Sequence, residues 1–155
     1  MRRTLIALTL LVSLFAGTAS SQTKPNFAGK WTLGDAAAAA GMMIPTTMTV
    51  VQDEKTITLN TVGQMGEVKT VFNLDGSEAK SPIDVQGTRI ERVTKAAWDG
   101  SKLVLTTVSD FQGQSFETKQ IWTLGSDGTL TVDATRPDFQ GGGAPVTTKS
   151  VYKKQ

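Results

Sequence analysis

Asp127-Gly128-Thr129-Leu130-Thr131-Val132-Asp133-Ala134-Thr135 sets the fold class of this chain. Polar residues at 129, 131, 133 and 135 alternate with apolar ones at 130, 132 and 134. That is the two-residue period of a strand with one wet face and one buried face. The Asp-Gly in front of it is a hairpin signal, because a type I′ turn needs positive φ at its central positions.

The same pattern recurs on either side. Thr56, Thr58 and Asn60 alternate with Ile57 and Leu59, and threonines mix with aliphatics over residues 103–108. Asp53-Glu54, Asp75-Gly76 and Asp99-Gly100 supply further turns. Strands are expected over 28–33, 46–52, 55–60, 66–73, 82–86, 88–97, 102–109, 115–124, 129–136 and 146–153. Joined by short connections, they predict an all-β fold, a single antiparallel up-and-down β-barrel of about 8–10 strands, since closure removes the exposed sheet edges. One short helix is expected between the first two strands. Asp35 is a good N-cap, Ala36–Ala40 are the best helix formers, Gly41 is a stop, and Pro45 ends the segment.

The N-terminus reads differently. Arg2 and Arg3 precede an uncharged run from Thr4 to Gly17, followed by the small residues Thr18-Ala19-Ser20-Ser21. This is the order of a secretory signal peptide over residues 1–21, cleaved near Ser20–Gln22. The run is shorter than the roughly 20 residues a membrane-spanning helix needs, so no span is expected after cleavage. No Cys follows it, which excludes a lipid anchor. The chain is therefore expected in the periplasm or outside the cell, with residues 22–155 as one barrel domain.

Cleavage changes the charge balance. Of 16 basic and 14 acidic side chains, Arg2 and Arg3 leave with the signal, so 14 of each remain. The sequence pI near 9.0 is then no footprint of nucleic-acid binding. With no Cys and no His, the domain must hold together by burial, without disulfides. Imidazole-based acid–base chemistry and the usual nucleophilic triads go too.

No other catalytic pattern stands out. S-x-x-K spacing occurs at Ser21/Lys24, Ser77/Lys80 and Ser150/Lys153, in unrelated contexts and without supporting motifs. Asp53, Asp75, Asp99 and Asp127 sit in expected turns, where solvated turn chemistry accounts for them. No segment has the alternating acids of a calcium loop, and Gly141-Gly142-Gly143 has no following Lys-Ser/Thr to make a phosphate loop. No catalytic residue, metal site or cofactor is expected, and the chain is read as a non-enzyme.

What remains is binding. Thr70, Thr118, Gln120, Thr148 and Ser150 fall in phase with Phe72, Trp122 and Tyr152 on expected strands. A face mixing hydroxyls and amides with large apolar groups suits an interior that holds a ligand, since buried polar groups need partners. The candidate ligand-binding residues are Phe72, Gln120, Trp122, Ser150 and Tyr152. A one-residue slip of register would reverse this assignment.

Phe27-Ala28-Gly29-Lys30-Trp31-Thr32-Leu33 resembles the first strand of the calycin group, the lipocalins and fatty-acid-binding proteins, which open around F-x-G-x-W. Ser150-Val151-Tyr152-Lys153-Lys154 is similar to the last strand of fatty-acid-binding proteins. Small secreted bacterial proteins with an N-F-x-G-x-W start and W-D-G turns look similar as well, at Asn26 and at Trp98, Asp99 and Gly100. The resemblance implies a calycin-like barrel in which Gly29 and Trp31 close one end and Tyr152 faces the pocket. It does not carry fatty-acid specificity. Ser150 stands where those proteins place an Arg for the ligand carboxylate, Gly34–Pro45 has room for one short helix rather than two, and the lipocalin T-D-Y motif is not evident. The expected function is an exported barrel that binds a small, largely apolar ligand. The alternative is a protein-interaction module, an inhibitor-like barrel whose free tail Gln22–Asn26 inserts into a protein partner.

Overall fold

The computed structural model describes residues 24–34, 44–63, 66–85, 87–111, 113–138 and 143–155. The signal peptide expected over 1–21 and the helix expected over 35–41 lie outside the described residues.

The described residues form eleven strands. They are β1 (Gly29–Leu33), β2 (Thr47–Gln52), β3 (Thr56–Gly63), β4 (Gly66–Asn73), β5 (Ala79–Lys80), β6 (Ile83–Val85), β7 (Thr88–Asp99), β8 (Lys102–Phe111), β9 (Gln114–Leu124), β10 (Leu130–Arg136) and β11 (Val146–Lys154). All pair antiparallel in one sheet ordered β4-β3-β2-β1-β11-β10-β9-β8-β7-β5, with β6 also on β7. Consecutive strands pair from β1 to β4 and from β6 to β11, and β1 pairs β11, so the meander curls into a nearly closed barrel. Among the described residues, no helix is long and apolar enough to cross a membrane.

The two-residue strand β5 is the one that periodicity does not predict. Ala79 faces Thr94 and Lys80 faces Val93, while Ile83 faces Ile90 and Val85 faces Thr88. Both pieces keep one register along β7, with Pro82 between them. Ser81 N still donates to Arg92 O at 2.9 Å, so the nitrogen of Pro82, one residue on, points away from β7, where a missing N–H is tolerated. The strand is interrupted at these two residues and counts as two.

The turns also differ from a two-residue Asp-Gly hairpin. Between β9 and β10, Gly125 N donates to Thr129 O, and Gly128 sits at φ 78°. The Asp127 carboxylate accepts from Thr129 N at 3.0 Å and from Thr129 Oγ1 at 2.7 Å. These bonds hold its carboxyl below the usual range. Asp127 therefore closes a longer loop through its side chain, leaving the tight-turn geometry to glycine. At β7–β8, Asp99 already pairs Lys102, so the turn centres on Gly100-Ser101.

The sheet closes at a seam between β4 and the β5–β7 edge, and side chains close it. Val71 N donates to Ser81 Oγ, Thr94 Oγ1 donates to Val71 O, and Arg92 Nη2 donates to Thr70 Oγ1 at 3.1 Å. Thr70, Ser81 and Thr94 are all buried. The Ser81 and Thr94 hydroxyls satisfy the edge groups of Val71 that a missing ladder would leave orphaned, and Thr70 takes the Arg92 side chain.

One half of the barrel is solid. Phe27, Trp31, Val50, Ile57, Phe72, Leu103, Leu105, Trp122 and Leu130 belong to one buried cluster. Phe27 stacks on Trp98 at 6.2 Å and meets Trp122 edge-on at 5.7 Å, both favourable aromatic geometries. Trp31 Nε1 donates to Phe27 O at 2.9 Å, so the indole both fills space and anchors the entering chain. Gly29 has φ 144°, a conformation that side-chain-bearing residues rarely adopt.

Candidate functional site

The inner face changes character along β7, β8 and β9. Near the Trp98 end, Trp98 pairs Leu103 and Leu103 pairs Trp122; one row on, Ala96 pairs Leu105 and Leu105 pairs Gln120. The next inward row is all threonine, with Thr94 opposite Thr107 and Thr107 opposite Thr118. Beyond it Arg92 pairs Ser109 and Ser109 pairs Phe116. Threonine and serine reach too short a distance to meet across a barrel of this strand number, so the interior above the plug stays hollow.

The hollow has a volume of about 680 Å³. Met48, Leu59, Ile90, Phe116 and Val132 give it apolar wall, and Thr107, Ser109, Thr118, Thr148 and Ser150 interrupt that wall with hydroxyls. The size and the mix are those of a small-molecule pocket, apolar with a few placed polar groups.

Gln120, Ser150 and Tyr152 lie on this wall. Gln120 Oε1 accepts from Trp122 Nε1 at 2.9 Å, so the amide joins the cavity to its floor. The Tyr152 hydroxyl donates to Pro45 O at 3.0 Å, tying β11 to the start of β2. Burial pushes its pKa up to about 12, against a lowering by the Ser150 hydroxyl. Phe72 and Trp122 do not reach the wall; both are buried in the solid half. Of the other interior polar residues expected, Thr118 and Thr148 line the cavity, while Thr70 belongs to the seam.

The sequence-based set holds none of the apolar wall residues and, among the polar ones, misses Thr107, Ser109 and two charged side chains, Arg92 and Arg136. The sequence carries a signal for Arg92, which lies in phase with Ile90, Thr94, Ala96 and Trp98 on one strand. Burial lowers the pKa of the Arg92 guanidinium, which donates to the Thr70 hydroxyl. Among the described residues no group of His, Cys, Asp and Glu could hold a metal ion.

At the opposite pole, Gln52 pins the entering chain. Its Oε1 accepts from Phe27 N at 2.9 Å and its Nε2 donates to Pro25 O at 3.2 Å. Pro25 and Phe27 are thus held to the barrel, and any free tail must end before Pro25.

Solved structures match this barrel over most of its length. REP1-NXSQ fatty acid transporter superposes with a TM-score of 0.54 at 18% identity, covering 83% of this chain and 95% of its own. A variant of the fluorescent protein UnaG gives 0.54 at 22%, covering 83% and 96%. The fold is calycin-like. Secretory abundant heat soluble protein 4 from Ramazzottius varieornatus, at 0.53 and 20%, covering 87% and 99%, has the same calycin-like barrel. At these identities the likeness concerns the fold. No protein-family model matches the chain, and no curated protein is similar to it in sequence.

Proposed function

We propose that this chain is a non-enzymatic carrier or sensor barrel that holds a small, largely apolar ligand in its cavity, after export to the periplasm or the exterior. The observation that carries this reading is the hollow of about 680 Å³ itself. Filling it with larger side chains would stabilise the barrel by burying apolar surface. The chain instead interrupts the apolar wall with short side chains, Thr107, Ser109, Thr118, Ala134, Thr148 and Ser150, and that choice is explained by a guest. Structural neighbours that include a fatty acid transporter support the same reading.

Native mass spectrometry of the protein purified from its own host tests it. The expected result is a mature chain cleaved near Ser20–Gln22 carrying one retained small molecule. A chain that is unoccupied from the host and stays so when offered apolar compounds contradicts it.

The protein-interaction alternative has less support. Its inserting segment was Gln22–Asn26, and the hydrogen bonds of Gln52 to Pro25 and Phe27 fasten the last part of that segment.

A further inference from the structure

Among the described residues, the charged side chains that line the cavity are Arg92 and Arg136, and no carboxylate lines it. Arg92 is the more committed of the two. It sits on the inward face of β7, opposite Ser109, and among the described residues its hydrogen-bonded side chain is the Thr70 hydroxyl across the seam. That bond uses one N–H of a guanidinium that carries several in a rigid fork. Among the described residues no carboxylate compensates its charge, and burial is the sole cause of its lowered pKa. A partly buried, uncompensated cation is costly, so a partner charge is worth more there than at the surface.

We infer that Arg92 is the anion-holding group of this cavity, and that the ligand is an amphipathic organic anion whose acid group lies against β7 at the seam. This rests on the binding-barrel reading above. The Thr70 bond presets the guanidinium, and Thr107 and Ser109 on the adjoining strand add hydroxyl donors on the same wall. The apolar body of the ligand then runs along Met48, Leu59 and Val132. Gln120 and Ser150, on β9 and β11, carry no charge and serve the neutral part of the guest. A neutral cavity lining would select on shape alone; Arg92 makes charge a criterion as well.

Two fluorescent probes that share an aryl body test this. N-phenyl-1-naphthylamine is neutral, and 8-anilino-1-naphthalenesulfonate is the same body with a sulfonate. Both are titrated into the mature full-length chain and into Arg92→Gln, Arg92→Lys and Arg136→Gln. The sulfonate is expected to bind the wild type more tightly than the amine. Arg92→Gln should weaken the sulfonate about ten- to hundredfold, the worth of hydrogen bonds to a charged group, and leave the amine unchanged. Arg92→Lys should retain much of the sulfonate affinity, and the affinity should fall with added salt. If the amine binds but the sulfonate is indifferent to Arg92→Gln, or depends on Arg136 instead, the assignment of Arg92 is overturned while the binding barrel stands. If neither probe binds the wild type, the binding barrel itself fails. Unchanged amine affinity in Arg92→Gln shows that the variant is folded. Should that variant not fold, Arg92→Lys and the salt dependence decide, and a sulfonate affinity insensitive to salt overturns the proposal.

Discussion

The two halves of this barrel are built from the same strands and behave as different materials. Near Trp98 the inner face of β7, β8 and β9 carries Trp98, Ala96, Leu103, Leu105 and Trp122, plugged by Phe27 and Trp31. Farther along the same three strands it carries Thr94, Arg92, Thr107, Ser109, Phe116 and Thr118. The alternation of inside and outside is identical in both halves. What differs is the reach of the inward side chains. Large aromatics meet across the barrel and make a dry core, whereas hydroxyl residues cannot, and the same backbone then encloses a cavity. A packed core and a cavity are therefore allotted to different ends of one sheet, and substitutions can separate them.

The largest expected effect falls on the solid half. Trp122 is fully buried and touches Phe27, so Trp122→Ala should cost about 3–5 kcal/mol in urea unfolding. A cost below ~1 kcal/mol would mean that the plug is not what holds the barrel closed.

Tyr152 lies on the boundary and should give an intermediate result. Tyr152→Phe removes the bond to Pro45 O and is expected to cost about 1 kcal/mol at neutral pH. The phenol also ties stability to pH. Its folded pKa of about 12 lies above the ordinary value of 10.0. The folded state therefore keeps its proton where the unfolded state loses it. The stability this contributes is complete below pH 10 and disappears as pH rises from about 10 to 12. Unfolding midpoints across that window should fall more steeply for the wild type than for Tyr152→Phe, and parallel curves would remove the assigned burial of the hydroxyl.

The smallest effect belongs to the hollow half. Thr107→Val keeps the shape of a wall residue that supports no neighbour across the barrel. Stability should stay within about 0.5 kcal/mol by thermal melting. The same change should alter probe affinity, because it replaces a hydroxyl of the cavity wall with a methyl group. A large loss of stability would place Thr107 in a packed core and contradict the division.

Much of the solid half is legible in the sequence, because period two and turn residues are local signals. Gly29 and Trp31 declare the first strand, and the period over Thr129–Thr135 turns Leu130 inward, as it also turns Val132 and Ala134 to the cavity wall. The hollow half is harder to read. Gln120, Ser150 and Tyr152 follow from phase along their own strands, yet Phe72 and Trp122, equally in phase, lie in the solid half. Phase says which residues face inward; height along the barrel depends on the stagger between strands, which no single strand encodes. Arg92 escapes for a related reason, since an inward arginine has meaning only once the seam beside it is known. Pro82 could have announced the broken strand, but β5 is too short to show a period.

The central claim is that the hollow half admits a guest, and one titration tests it most directly. N-phenyl-1-naphthylamine is added to the wild type and to Ala134→Trp, a change that places a large ring in the cavity wall. The account predicts one probe per chain in the wild type and loss of binding in Ala134→Trp, with the solid half still melting cooperatively. Equal binding by both proteins, or none by the wild type, would contradict it.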